Sequence, residues 1–160
     1  MGDFYILSTI VENKPGVLFR ASNMFRRRGF NIESITVGRT EKPGFAKMTI
    51  VVNGDELTVE QLIKQLGKLI DVIKITLLEQ QTSVVRELAL IKLNVLDQKT
   101  RVDVLNFSQI YRCRIVDVSN ETITVEITGD PTKIDSFIKL VSSFGIRDIS
   151  RTGITALQRG

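Results

Sequence analysis

The sequence predicts an α+β protein built from two tandem ferredoxin-like βαββαβ sandwiches. Segments that alternate like strands and segments with the 3.6-residue period of helices follow the same order in residues 1–78 and 85–160. The 160 residues leave about 80 for each half, enough for a small two-layer unit. Each unit should hold an antiparallel sheet with helices on one face, and the uncovered apolar surface favours association between chains.

In the first half, turn residues mark each change of period. The first strand covers Phe4–Val11 and leads into a helix that ends at Gly29. The apolar stripe of that helix consists of Val17, Leu18, Ala21, Met24 and Phe25. The elements that complete this half are two strands over Ile32–Arg39 and Phe45–Val52, a helix over Thr58–Leu69 that opens with a Thr58–Gln61 capping box, and a strand over Asp71–Glu79.

A short polar linker, residues 79–84, leads into a second half with the same predicted order of strands and helices. Asp130 and Pro131 mark a helix start, as an N-cap followed by proline at the first helical position, and Gly145 ends this last helix. The remaining elements are a strand over 85–95, a helix over 100–111, strands over 114–118 and 122–128, and a final strand over 146–157. We therefore expect one domain over 1–78 and another over 85–160.

The composition argues against catalysis. The chain has no histidine and one cysteine, so the usual zinc sites and the Ser-His-Asp and Cys-His arrangements cannot be built. No close pair of acidic residues stands out, and we expect this chain to carry no catalytic residue, metal or cofactor. Cys113 as a lone thiol fits a reducing compartment, no signal peptide or membrane-spanning run is visible, and the cytoplasm is the expected location.

The loop over residues 12–16, Glu-Asn-Lys-Pro-Gly, is the candidate binding site. It joins a strand to a helix start, where backbone N–H groups without partners attract small anions, including carboxylates. Gly16 places no side chain in the way of a ligand, and Asn13 lies beside the helix start. Each residue also has a plain interpretation, Asn13 as a turn residue that bonds its own backbone and Gly16 as a helix-start glycine.

RNA binding is the alternative interpretation, because RRM domains share the βαββαβ order. The segment from Lys42 to Met48 approaches the RNP1 pattern, but Lys47 stands where that pattern has an aromatic residue. The net charge of +4 is mild, and the only basic run, Arg26–Arg28, suits the solvated last turn of a helix. These features disfavour an RRM-like RNA-binding protein.

Several motifs resemble the small regulatory subunit of acetolactate synthase (acetohydroxyacid synthase), whose first domain is an ACT domain. In the first half they are ENKPGVLFRASNMFRRRGFNIESITVG (12–38), MTIVV (48–52) and QLIKQLGKLIDVIKI (61–75). In the second half they are RELALIKL (86–93), CRIVDV (113–118) and ISRTGITALQRG (149–160). The resemblance covers nearly the whole chain, and it departs only mildly at Lys14-Pro15, where proline stiffens the loop.

This resemblance implies a non-catalytic subunit of branched-chain amino acid biosynthesis. It would stimulate the large catalytic subunit, on which thiamine diphosphate, Mg²⁺ and FAD are expected, and would confer feedback inhibition by valine, leucine or isoleucine. The effector would lie between two ACT domains of a homodimer. By motif match, Asn13 and Gly16 from one chain would face Asn31 and Ile32 from the other. The chemistry of an amino acid ligand agrees, because the amides of Gly16, Val17 and Leu18 are candidate donors for its carboxylate, and Leu18 and Ile32 suit its aliphatic side chain. No nucleic-acid or membrane partner is implied.

Overall fold

The computed structural model describes residues 3–160, which divide into two compact units. The first unit takes in residues up to Val85 and also Ile154–Gly160, and the second consists of Arg86–Gly153. The last seven residues, which the sequence assigns to the second domain, therefore cluster with the first unit. Within the described residues, no helix is long and apolar enough to cross a membrane.

The first unit has the predicted βαββαβ order. The elements are β1 (Asp3–Glu12), α1 (Val17–Arg28), β2 (Ile32–Arg39), β3 (Phe45–Gly54), α2 (Glu56–Gly67) and β4 (Val72–Leu78). The four strands form one antiparallel sheet in the order β2-β3-β1-β4, so β2 and β4 are the edges. A short 3₁₀ turn, Gln80–Thr82, follows β4.

The core of the first unit lies between the sheet and the two helices. Alternate residues of β1 and β3, such as Leu7 and Ile50, point to the helices and are fully buried, as the period of two requires. Ala21 and Phe25 of α1 and Leu62 and Leu66 of α2 complete this core. Leu18 is an exception to the predicted stripe of α1: its side chain is 48 % exposed, because it lies on the outer side of the first helical turn.

The second unit repeats the order. The elements are β5 (Ser83–Asn94), α3 (Gln98–Ile110), β6 (Arg114–Val118), β7 (Thr122–Gly129), α4 (Pro131–Val141) and β8 (Ile146–Arg151). The strands lie in the order β6-β7-β5-β8 and are again antiparallel. Helices α3 and α4 pack on one face of this sheet, where Phe137 is fully buried against Tyr111. A 3₁₀ turn, Ser142–Phe144, precedes Gly145. The α+β class with two βαββαβ units is thus confirmed.

The final strand predicted over 146–157 is wrong, because it is two strands. β8 ends at Arg151, Gly153 adopts a left-handed φ of 80°, and β9 (Thr155–Gln158) follows as a separate strand that pairs with β5. Ala156 of β9 is buried with Ile6, Val51 and Leu78 on the face of the first sheet that carries no helix. The C-terminal segment therefore covers part of the apolar face that the sequence left open.

The helix starts are set by aspartates in three places. The predicted Thr58–Gln61 capping box is wrong: α2 begins earlier, and the side chain of Asp55 accepts a 2.7 Å hydrogen bond from the Thr58 N–H. Asp97 does the same for α3 with the Thr100 N–H, which starts that helix two residues before the predicted position. Asp130 caps α4, as predicted.

Candidate functional site

The loop between β1 and α1 is held at both sides by backbone hydrogen bonds. The Glu12 N–H donates to the carbonyl of Asp71, just before β4, at 2.9 Å. The Asn13 N–H donates to the carbonyl of Gly44, just before β3, at 2.8 Å. The loop position is therefore fixed by two neighbouring strands as well as by its own sequence.

The first turn of α1 leaves backbone donors without partners. Gly16 is the N-cap residue in a left-handed conformation (φ 85°), and no side chain caps the helix. The Val17 N–H reaches the Lys14 carbonyl only at 3.4 Å, and within the described residues the amides of Leu18 and Phe19 have no acceptor. A ligand carboxylate is the kind of group that satisfies such donors.

Two ion pairs lie at this end of the helix. The Arg20 Nε lies 2.6 Å from the Oδ2 of Asp71, whose side chain is only 7 % exposed. A Cβ placed on Gly16 would lie 2.9 Å from the Arg20 Nη1, so the guanidinium covers the glycine. Lys14 pairs with Glu12 at 2.6 Å, and this hydrogen bond raises the pKa of the lysine. Gly16 thus faces a cation held in place by a nearly buried carboxylate.

The structure brings together only part of the predicted set. Asn13, Gly16, Val17 and Leu18 lie at the sheet end where β1 finishes. Ile32 pairs with Val52, which pairs with Tyr5 near the start of β1, so Asn31 and Ile32 lie at the opposite end of the sheet. Seven residues of strand between Tyr5 and Glu12 correspond to roughly 23 Å. One chain alone therefore cannot place both groups around one small ligand.

Asn31 and Ile32 already make hydrogen bonds and packing contacts within their own chain. The Asn31 side-chain amide is 3.4 Å from the Glu33 carboxylate, and the Asn31 carbonyl accepts a 3.3 Å hydrogen bond from the Asn53 N–H. Ile32 is half-buried and packs against the core of the first unit. Both residues stand at the beginning of β2, an edge strand.

Sequence reasoning gave neither Asp71 nor Arg20 a role at the site. The two residues are 51 positions apart, and only the packing of β1 between β3 and β4 makes them neighbours. A sequence signal that could have paired them is hard to define, because an isolated arginine and an isolated aspartate are common on any surface. Among the described residues, no group of three or more potential metal ligands occurs.

The sequence relationships agree with this architecture. Residues 7–74 match a family model described as the acetohydroxyacid synthase small subunit-like ACT domain, and residues 86–160 match one described as the small subunit of acetolactate synthase. A Methanothermobacter thermautotrophicus protein named "Probable acetolactate synthase small subunit" is 51 % identical over 99 % of this chain and 94 % of its own length. The chain belongs to the acetolactate synthase small-subunit family.

Two further relatives support this assignment. The acetolactate synthase small subunit of Mycolicibacterium smegmatis is 46 % identical over 98 % of this chain and 92 % of its own length. The crystal structure of the small subunit from Thermotoga maritima has a TM-score of 0.93 and 41 % identity, and covers 99 % of this chain and 98 % of its own. The protein is accordingly a regulatory, non-catalytic subunit with an ACT domain, and its partner is a catalytic subunit.

Proposed function

We propose that this regulatory subunit binds a free branched-chain amino acid at the loop before α1, and thereby sets the activity of the thiamine-diphosphate-dependent catalytic subunit that it stimulates. The observation that carries the proposal is the set of donors at Gly16: free backbone amides and the Arg20 guanidinium at one point. A carboxylate needs donors of this kind, and the exposed Leu18 supplies an apolar contact for an aliphatic side chain.

A homodimer through the edge strand β2 would complete the site. If β2 pairs antiparallel with the β2 of a second copy in a register centred on the strand, the partner's Ile32 comes to lie opposite Arg39 of this chain. Arg39 pairs with Ala46 and Ala46 with Val11, beside the end of β1 where the loop begins. The partner's Asn31 and Ile32 would then stand at the same end as Gly16, and β2 would no longer be an unpaired edge.

The regulatory effect requires two states of the dimer with different affinities for the effector. A ligand shifts such an equilibrium only by its differential affinity, and couplings of about 1–3 kcal/mol give effects of roughly 5- to 150-fold. We propose that the effector favours one packing of the ACT dimer, and that the catalytic subunit responds to that packing.

The Gly16→Asp variant tests the loop assignment. The new carboxylate would repel that of the ligand and its Cβ would meet Arg20, so we expect calorimetric titration with valine, leucine and isoleucine to show at least a tenfold loss of affinity. The reconstituted holoenzyme should keep its stimulated activity and lose sensitivity to the effector. Asn106→Asp, which adds the same charge at an exposed position of α3, is the matched control. Full feedback inhibition of the Gly16→Asp holoenzyme would contradict the proposal.

A further inference from the structure

A second basic feature lies between α1 and α2 of the first unit, outside the loop itself. The groove between these helices has a volume of 320 Å³ and is lined by Arg20, Arg27, Arg28 and Lys68, with Met24 and Leu69 among its apolar contacts. None of the described residues that line it is acidic. The volume is near the lower limit of about 300 Å³ for small-molecule pockets, and the lining is charged rather than apolar.

The cations of this groove are not balanced within the unit. Arg20 is paired with Asp71, but in residues 3–160 no carboxylate forms an ion pair with Arg27, Arg28 or Lys68. The macrodipole favours basic residues at the C-terminal end of α1 and also Lys68, the C-cap of α2, and the packing of the two helices brings these cations into one groove. Cations that share a groove repel one another, so an acidic partner would be stabilising here.

Two exposed apolar side chains lie next in sequence to residues that line the groove. Phe19 precedes Arg20 and is 71 % exposed, and Ile70, between Leu69 and Asp71, is 90 % exposed. Large apolar residues beside arginines are typical of the contact regions of protein–protein interfaces. A single aromatic side chain makes a poor platform for stacking nucleic-acid bases, and the long, flexible cations do not form a fixed cage for a free anion.

We propose that this α1–α2 groove docks an acidic segment of the catalytic subunit, with Phe19 and Ile70 as apolar contacts at its margin. The choice of the catalytic subunit rests on the family to which this chain belongs, since that subunit is its implied partner. The location of the surface is carried by the charge of the groove and by the two exposed apolar residues.

Arg20 connects this surface to the effector loop, and this part of the inference rests on the proposed function. Its guanidinium lines the groove and also covers Gly16. A carboxylate bound at Gly16 would draw Arg20 away from the groove, so that effector and catalytic subunit compete for one cation. By linkage, each ligand then changes the affinity of the other by the same factor.

The test compares two double charge reversals in the full chain. Arg27→Glu with Lys68→Glu changes the groove, and Lys99→Glu with Lys139→Glu makes the same charge change in the second unit, where neither lysine forms an ion pair. Binding to the purified catalytic subunit is measured at low and high salt, with circular dichroism as the check on folding. We expect roughly a tenfold or greater loss for the groove variant at low salt and less than a twofold change for the control.

Equal losses in both variants, or none in the groove variant, would overturn the docking surface. So would a groove variant that loses tight RNA binding, measured on a filter, while its association with the catalytic subunit is unchanged. Valine titration separates the two proposals. If the groove variant still binds valine but no longer associates with the catalytic subunit, the effector site and the docking surface are distinct. If the wild-type chain binds no branched-chain amino acid, only the proposed function is contradicted. Arg20→Lys keeps the positive charge but loses the guanidinium that reaches both Gly16 and Asp71, so it should reduce the effect of valine on association, and an unchanged effect would refute the role of Arg20.

Discussion

Single residues at the loop show how local chemistry depends on distant packing. Gly16 can adopt its left-handed φ without the strain that a side chain would bring, and this need is visible in the sequence. Its second constraint, the Arg20 guanidinium at 2.9 Å from the Cβ position, arises only because Asp71 holds that arginine. The helix start therefore gains a directed donor, Arg20, whose position is set by Asp71, a residue just before β4.

Cys113 offers a prediction about reactivity. It packs against the core of the second unit, and burial raises the pKa of its thiol to about 11 from 9.0. Because the thiolate is the reactive form, alkylation by iodoacetamide at pH 8 should be about 100-fold slower in the folded chain than in the chain unfolded by urea. The native rate should rise steeply as the pH approaches 11.

The same pKa shift has a consequence for stability. The folded chain keeps the Cys113 proton to a higher pH than the unfolded chain does, so the thiol contributes stability that is present below about pH 9 and is lost as the pH rises toward 11. Equal alkylation rates for the folded and unfolded chain would show that the thiol is not shielded.

Strand β8 contributes an arginine to a nearly buried ion pair and another to an exposed ion pair. The Arg151 guanidinium donates to both carboxylate oxygens of Glu87 on β5, at 2.6 and 2.8 Å, and to Asp135 of α4 at 2.8 Å. The hydrogen bonds with Glu87 raise the pKa of Arg151. Glu87 is only 5 % exposed, so this carboxylate relies on Arg151 for its charge partner.

We expect Arg151→Met to lower the free energy of unfolding by about 3–5 kcal/mol, because it leaves a nearly buried carboxylate unpaired. The control is Arg147→Met on the same strand, whose 3.9 Å pair with Glu121 is exposed at both ends and should contribute less than about 1 kcal/mol. Urea denaturation monitored by circular dichroism measures both. Equal effects of the two substitutions would show that the Arg151–Glu87 pair contributes no more to the free energy of unfolding than the exposed pair does.

For the molecule as a whole, the C-terminal strand is the least expected feature. Ile6, Val51 and Leu78 stand on the sheet face of the first unit that carries no helix, and Ala156 buries them. The Thr36 hydroxyl also donates to the Ile154 carbonyl, which ties this segment to β2. The last residues of the chain are therefore part of the first unit.

Ala156→Arg should therefore destabilise the first unit. Ala156 is 3 % exposed, so the longer side chain would overpack its site at a cost of about 1–3 kcal/mol, before the cost of burying its charge. Leu157→Arg, at a position that is 59 % exposed, is the control. Hydrogen exchange of the β1 and β3 amides measures the effect, and unchanged protection in Ala156→Arg would show that β9 does not stabilise this sheet.

The sequence by itself determined the two βαββαβ units, most element positions and the loop at Gly16, because periodicity, caps and turn residues are local signals. The predicted start of α2 at Thr58 was too late. Both Asp55 and Thr58 can cap a helix, and the choice between them depends on which turn packs on the sheet. The pairing of Arg20 with Asp71, the exposure of Leu18 and the return of β9 to the first unit were decided by tertiary structure alone. Each of these depends on contacts between residues far apart in the chain, for which neither periodicity nor spacing carries information.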